Sequence, residues 1–259
     1  MEYLDFAVDL ARAAGDILKH YAKREKFIEL KGRANLVTAA DKESEALIIE
    51  AIHKQYPNHS ILAEESGARA GTDSSQGRWV IDPLDGTTNF AHQYPFFCVS
   101  IAFEQNGQIL CGAVYDPARD DMFSGGVGVG SFVNGERLKV SDAPKLSDAL
   151  LMTGFPYNMR DQIDTLVGQF RAFLVESQAV RRGGSAALDL CYVAMGRCDG
   201  FWEANLQPWD TAAGKVILEE AGGRLSDFAG EPFSIYNKQM IASNGRIHDE
   251  MIRVLGNWK

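Results

Sequence analysis

Only four cysteines occur in 259 residues, and no two stand at C-x-x-C spacing. Cys98, Cys111, Cys191 and Cys198 each sit in an apolar stretch, which argues against a disulfide frame or zinc ribbon and for reduced core thiols in a cytoplasmic protein. No run approaches the ~18 apolar residues needed to span a bilayer, and Met1-Glu2-Tyr3-Leu4-Asp5 lacks a basic leader. Neither export nor membrane insertion is expected. Positive charge is also short, 26 Lys and Arg against 35 Asp and Glu, a net charge of −9. Direct nucleic-acid binding needs clustered cations and is not expected. The histidines His20, His53, His59, His92 and His248 show no H-x-x-x-H or H-E-x-x-H spacing, which speaks against a zinc hydrolase. Gly125–Gly130 lacks the following helix and the Lys-Ser/Thr ending of a P-loop, so it is assigned to a hairpin.

What is present is a globular composition, 46% hydrophobic and 24% charged, sufficient for one large domain or two small ones. Leu4, Ala7/Val8, Ala11, Ala14, Ile17/Leu18 and Tyr21 form the stripe of an amphipathic helix. A second helix should follow Thr38, burying Leu47, Ile48, Ala51 and Ile52, with Thr38 and Asp41 resembling a capping box and Lys31 and Asn35 in the loop before it. Strands are expected at Ser60–Ala63 and Trp79–Ile81, then at Phe97–Phe103 and Gln108–Tyr115 joined by Asn106-Gly107. Asn-Gly tolerates positive φ at both turn positions, and Asn134-Gly135 after the glycine-rich Ser124–Ser131 predicts another hairpin. This half should be helices on a mostly antiparallel sheet. Beyond Pro144, strands (Ala149–Thr153, Ala179–Arg182, Gly200–Glu203) alternate with helices (Asp161–Glu176, Ser185–Met195, Pro208 to about Ala221, Ile247–Leu255), which indicates covered sheet faces. The expected division is residues 1–145 and 146–259, with an extensive interface between the halves.

The chemistry concentrates in Trp79-Val80-Ile81-Asp82-Pro83-Leu84-Asp85-Gly86-Thr87-Thr88-Asn89-Phe90. Asp82 and Asp85 on one turn at a strand end can converge on hard cations, as the oxygen ligands of Mg²⁺ require. Gly86 would let a phosphate approach the backbone, and Gly86–Thr88 would open a helix whose N–H groups suit an anion. Taken alone, the pattern fits a helix-capping surface turn equally well. Glu64 and Glu65 after an apolar strand could be loop charges, and Asp210 opening a helix could be a charge favoured by the macrodipole.

Leu36-Val37-Thr38 with Asp41, Glu64-Glu65-Ser66, Asp82–Phe90, Gly184-Ser185-Ala186-Ala187-Leu188 and Pro208-Trp209-Asp210-Thr211-Ala212-Ala213-Gly214 together resemble the inositol monophosphatase family, in order and over essentially the whole chain. Asn35 stands where relatives often have Asp. The resemblance implies an α+β fold, a layered αβαβα sandwich of the inositol monophosphatase and fructose-1,6-bisphosphatase type, and Mg²⁺-dependent hydrolysis of a small phosphate monoester. By this resemblance Glu64, Asp82 and the Leu84 carbonyl hold one Mg²⁺, and Asp82, Asp85 and Asp210 a second, with Glu64 helping to retain a third through waters. Asp41, Glu64 and Thr87 position the attacking water, and the backbone of Gly86 and Thr87 cradles phosphate. Gly184, Ser185, Ala186 and Glu203, with Asp85 and Asp210 in reach, would meet the alcohol. Glu203 also fits a plain strand-end acid, and Arg181 and Arg182 fit solvated or interface residues as well as phosphate contacts. Myo-inositol 1-phosphate is the leading substrate, with fructose 1,6-bisphosphate, other sugar phosphates and histidinol phosphate as alternatives. The resemblance further implies lithium sensitivity and a homodimer. It also raises a role of another class, since a bacterial branch of the family contacts the transcription machinery: a regulatory protein-binding factor.

Overall fold

A computed structural model describes residues 2–22, 28–30, 36–72, 77–156, 160–256 and 258; Lys31 and Asn35 lie outside them, as does the side chain of Thr38. Helix α1 (Glu2–Ala22) buries Leu4, Ala7, Ala11, Ala14 and Leu18 of the predicted stripe, and Leu10 beside them, while Tyr21 is half-buried. After two short antiparallel strands, β1 (Ile28–Leu30) and β2 (Leu36–Thr38), helix α2 (Ala39–Gln55) buries Ile48, Ile49 and Ile52.

The first sheet runs β3 (Ser60–Ala63), β4 (Gly67–Arg69), β5 (Arg78–Asp85), β6 (Cys98–Gln105), β7 (Gln108–Asp116), β8 (Asp121–Gly126), β9 (Gly130–Val133) and β10 (Glu136–Arg137), in spatial order β10-β9-β8-β7-β6-β5-β3-β4. Its pairs are antiparallel apart from β3 with β5. Asn106-Gly107 (φ 52° and 76°) and Asn134-Gly135 (φ 49° and 86°) make the two-residue turns, as the sequence predicts. The short helix α3 (Thr87–Ala91) follows β5.

The second sheet is mixed. Strands β11 (Leu150–Thr153), β12 (Ala179–Arg181), β13 (Gly200–Ala204), β14 (Arg224–Ser226) and β15 (Gln239–Ser243) lie in the order β12-β11-β13-β15-β14. Helices α4 (Ile163–Glu176), α5 (Ala186–Ala194), α6 (Pro208–Glu220) and α7 (His248–Gly256) complete the chain.

Strand alternation sorts side chains into three cores, because successive residues point to opposite sheet faces. Trp79 and Ile81 face α1 and α2, while Val80 between them faces α5 and α6. Met152, Phe201, Met240 and Ala242 meet α5 and α6 from the second sheet, while Leu151, Trp202 and Ile241 face α4 and α7. The order is therefore helix, sheet, helix, sheet, helix, an α+β sandwich of five layers. The middle layer packs closely: a Cβ on Gly112 of β7 would stand 2.6 Å from the Cα of Ala213 in α6. Only glycine permits that approach.

Candidate active site

Strand β5 carries the first two carboxylates. It continues through Asp82 to Asp85 rather than stopping before them, with its register against β6 shifting between the two. Such an irregularity re-aims side chains. One oxygen of Asp82 accepts the Leu84 N–H at 3.0 Å. Burial, with the charges of Glu64, Asp85 and Asp210, holds the Asp82 carboxyl well above the usual carboxylate range. Asp85 accepts from Ser185 Oγ at 2.6 Å and from the Ala187 N–H at 2.8 Å. Burial pushes it up to about 6, opposed by those two bonds, the Gly86 N–H and the Arg182 charge.

Gly86 adopts φ 89°, and a Cβ there would lie 2.9 Å from the Phe96 carbonyl oxygen. The turn needs glycine for its left-handed backbone and for this packing, a different reason from the phosphate access expected of it. Helix α3 has five residues. Thr87 Oγ donates to the Leu84 carbonyl at 3.0 Å and stands 3.3 Å from Asp41 Oδ1. Asp41, fully buried in the first turn of α2, thus faces the end of β5. Glu64 follows β3, its N–H bonded to the Ile81 carbonyl.

The other wall comes from α5, α6 and β13. Ser185 caps α5, accepting from the Leu188 N–H at 3.3 Å while donating to Asp85. Asp210, in the first turn of α6, accepts the Gln207 N–H at 2.7 Å. Burial and the Asp85 charge raise its pKa, against that bond and the Lys238 charge. Glu203 leans on Gly154, where a Cβ would overlap its carboxylate. Burial and Asp85 push it up to about 8, with Arg182 opposing. The Arg182 guanidinium stands over Gly184, whereas exposed Arg181 bonds its neighbour's carbonyl. Ala186, the first residue of α5, is buried.

The structure thus gathers Asp41, Glu64, Asp82, Leu84, Asp85, Gly86, Thr87, Gly184, Ser185, Ala186, Glu203 and Asp210 at one end of the two sheets. Two residues at this end were given no role from sequence. Asn89 joins the walls, donating to the Phe96 carbonyl at 2.7 Å and the Gly183 carbonyl at 3.0 Å. Its signal was its place inside the Asp82–Phe90 stretch. Asp189 is a lone acid in the otherwise apolar α5.

The donor set suits a hard divalent cation. The acids at the core of the site raise one another's pKa, and among the described residues no Lys or Arg hydrogen-bonds Asp82, Asp85 or Asp210. One oxygen of each is tied by an N–H or O–H, which orients it. Among the described residues no three His, Cys, Asp or Glu side chains form a ready-made cage. Mg²⁺ does not need one, since it keeps waters and uses one or two carboxylates with substrate phosphate.

The profile of the inositol monophosphatase family matches residues 1–257. The chain belongs to the inositol monophosphatase family. By that membership it is a phosphatase. It is 43% identical over 255 residues to an inositol-1-monophosphatase of Synechocystis, covering 98% of this chain and 88% of the relative. It is equally 43% identical, over 251 residues, to the Nus factor SuhB of Escherichia coli K12, covering 96% of this chain and 94% of the relative. The solved inositol monophosphatase of Anabaena superposes with a TM-score of 0.91 at 46% identity, covering 100% of this chain and 96% of that one. The solved IMPase of Thermotoga maritima superposes with a TM-score of 0.90 at 36% identity, covering 99% of this chain and 98% of that one.

Proposed function

We propose that the chain hydrolyses a small polyol phosphate monoester, with myo-inositol 1-phosphate the first candidate, in a Mg²⁺-dependent reaction. The observation that carries this reading is the Asp82, Asp85 and Asp210 cluster, drawn from both halves of the chain and fixed by Leu84, Ser185 and Gln207. Glu64, Asp82 and the Leu84 carbonyl would hold one ion, and Asp82, Asp85 and Asp210 a second; Glu64 would help to retain a third. Bound cations neutralise the phosphate dianion, acidify water and stabilise the leaving alkoxide. Thr87 Oγ and Asp41 Oδ1, which stand 3.3 Å apart, would position the attacking water. The N–H groups of Gly86 and Thr87 receive phosphate oxygens. Gly184, Ser185, Ala186 and Glu203 line the alcohol side, where Ser185 acts chiefly by orienting Asp85.

The test is kcat/KM across inositol 1-phosphate, fructose 1,6-bisphosphate, histidinol phosphate and 3′-phosphoadenosine nucleotides, with Mg²⁺ and with EDTA. Preference for the inositol ester and loss in EDTA support the reading; full activity in EDTA ends it.

A second reading, a regulatory protein-binding role, is favoured by the name Nus factor borne by relatives 43% identical. Capture of a specific partner by a folded Asp85→Asn variant would separate that role from catalysis. Outward Ile163, Val167, Leu174 and Val175 along α4 support a homodimer, which sedimentation checks. Four buried, free cysteines support a cytoplasmic location, and no helix among the described residues is long and apolar enough to cross a membrane.

A further inference from the structure

Asn89, the third residue of the short helix α3, is 9% exposed, and its side-chain nitrogen makes two hydrogen bonds. One goes to the Phe96 carbonyl at 2.7 Å, just ahead of β6, and the other crosses 94 residues of sequence to the Gly183 carbonyl at 3.0 Å. An amide NH₂ has two hydrogens, so both are committed to the backbone and none is left for a ligand. Asn89 can act on the chemistry only through what it holds.

What it holds lies on both sides of the site. The Phe96 carbonyl oxygen is the atom that a Cβ on Gly86 would meet at 2.9 Å, so this bond pins α3 beside the turn that follows Asp85. The Gly183 carbonyl comes two residues before Ser185, whose Oγ donates to Asp85 Oδ2 at 2.6 Å, and four before Ala187, whose N–H donates to the same oxygen at 2.8 Å. Between them Gly184 adopts φ 91°, and a Cβ there would stand 3.0 Å from Asn89 Nδ2 and 3.3 Å from its Oδ1. The loop thus lies directly against the Asn89 amide, with glycine making room for the contact.

The two ions proposed above draw on different parts of the chain. Glu64, Asp82 and the Leu84 carbonyl all belong to β5 and the end of β3 in the first sheet. The set of Asp82, Asp85 and Asp210 needs α6 from the other half, together with an Asp85 aimed by Ser185. We propose that Asn89 is a positioning residue for this second ion, clamping the Gly183-Gly184 loop to α3 so that Ser185 and Ala187 reach Asp85. The inference rests on the Mg²⁺-dependent reading above. Groups that orient a metal's ligands tune its affinity, and Asn89 holds the loop that carries those groups. Without the clamp the loop can shift, and the Asp85 oxygen it grips shifts with it.

The experiment measures Mg²⁺ binding by calorimetry on the full-length parent, Asn89→Ala, Ser185→Ala and the double variant, with inorganic phosphate as the only other ligand. Melting temperatures are taken beside it in EDTA. Asn89→Ala should raise the dissociation constant of one class of Mg²⁺ site about tenfold, equivalent to about 1.4 kcal/mol, and leave the other class nearly unchanged. Ser185→Ala should do the same. Residues that act through one contact are not additive, so the double variant should also lose about tenfold, where independent losses would multiply to about a hundredfold. A purely structural asparagine would lower the melting temperature and leave the Mg²⁺ affinity of the folded protein as it was. If Asn89→Ala does not fold, Asn89→Ser, with one donor for two carbonyls, carries the same expectation. Unchanged Mg²⁺ affinity, equal losses in both classes of site, or multiplied losses in the double variant would overturn the role of Asn89 alone. A parent that binds no Mg²⁺ would overturn the Mg²⁺ reading and this inference with it.

Discussion

Ser185 donates a 2.6 Å hydrogen bond to Asp85 across 100 residues of sequence. The same hydroxyl caps α5 by accepting the Leu188 N–H, so one oxygen both starts a helix and aims an acid. The orientation of Asp85 is therefore set by the packing of the two halves as well as by the Gly86 N–H of the turn that carries it.

Asp85→Asn should lower kcat by about a thousandfold or more, because the amide removes the charge proposed to neutralise cation and substrate together. The fold should persist, since asparagine can still accept from Ser185 and Ala187. Steady-state kinetics beside a melting curve check both halves of the statement.

Glu203→Ala should cost inositol phosphate about 10- to 100-fold in kcat/KM and p-nitrophenyl phosphate far less, since a carboxylate that binds hydroxyls matters only where they exist. Parallel kinetics on the two esters decide it, and equal losses would make Glu203 a structural residue.

Gly112→Ala should lower stability by about 1–3 kcal/mol, the usual cost of overpacking a filled interior, because its new methyl group meets Ala213 backbone. Ala213 lies on the helix whose first turn carries Asp210, so the Mg²⁺ concentration for half-maximal activity should also rise. Unfolding curves and a Mg²⁺ titration read the two effects; an unchanged melting temperature would contradict the close approach.

His248 should make the protein acid-sensitive. It is buried between Ser243 Oγ and Ser226 Oγ, and burial lowers its pKa from 6.5 to about 4. Between those values the unfolded chain binds the proton more readily than the folded one, so stability falls as pH drops from about 6.5 to about 4 and then levels off. Melting temperatures of the parent and His248→Gln across this range should converge at low pH.

Hydrolysis should proceed by one in-line displacement without a phosphoenzyme. Thr87 Oγ faces Leu84 O and Asp41, and among the described residues no histidine hydrogen-bonds it to make it a nucleophile. A chiral phosphate ester hydrolysed in ¹⁸O-water should invert at phosphorus, whereas retention or a trapped phosphothreonine would sink this expectation.

The parts of the fold that the sequence displays are those set by local chemistry. Both Asn-Gly pairs make their turns because positive φ is a property of the residues themselves, and the α1 stripe is a matter of period. Strand β4 escaped notice since its residues are largely exposed and show no alternation. In the site, Asp82, Asp85 and Thr87 are legible because they are contiguous. The bonds from Ser185 to Asp85 and from Asn89 to Gly183 are not, because residues about 100 apart meet only through packing. Asp189 was concealed by company, a single acid among alanines and leucines that otherwise mark a core helix.

The middle core has a consequence for how this chain can be divided. Val80, Val114 and Phe123 from the first sheet and Phe201, Met240 and Ala242 from the second close on the same pair of helices, α5 and α6. A gene split at the connection near Pro144 would yield one fragment with a bare apolar sheet face and another with two helices lacking their second floor. Neither piece could bury its surface alone. The two would regain structure, and activity with it, only by finding each other, as complementing fragments whose yield rises with the concentration of both.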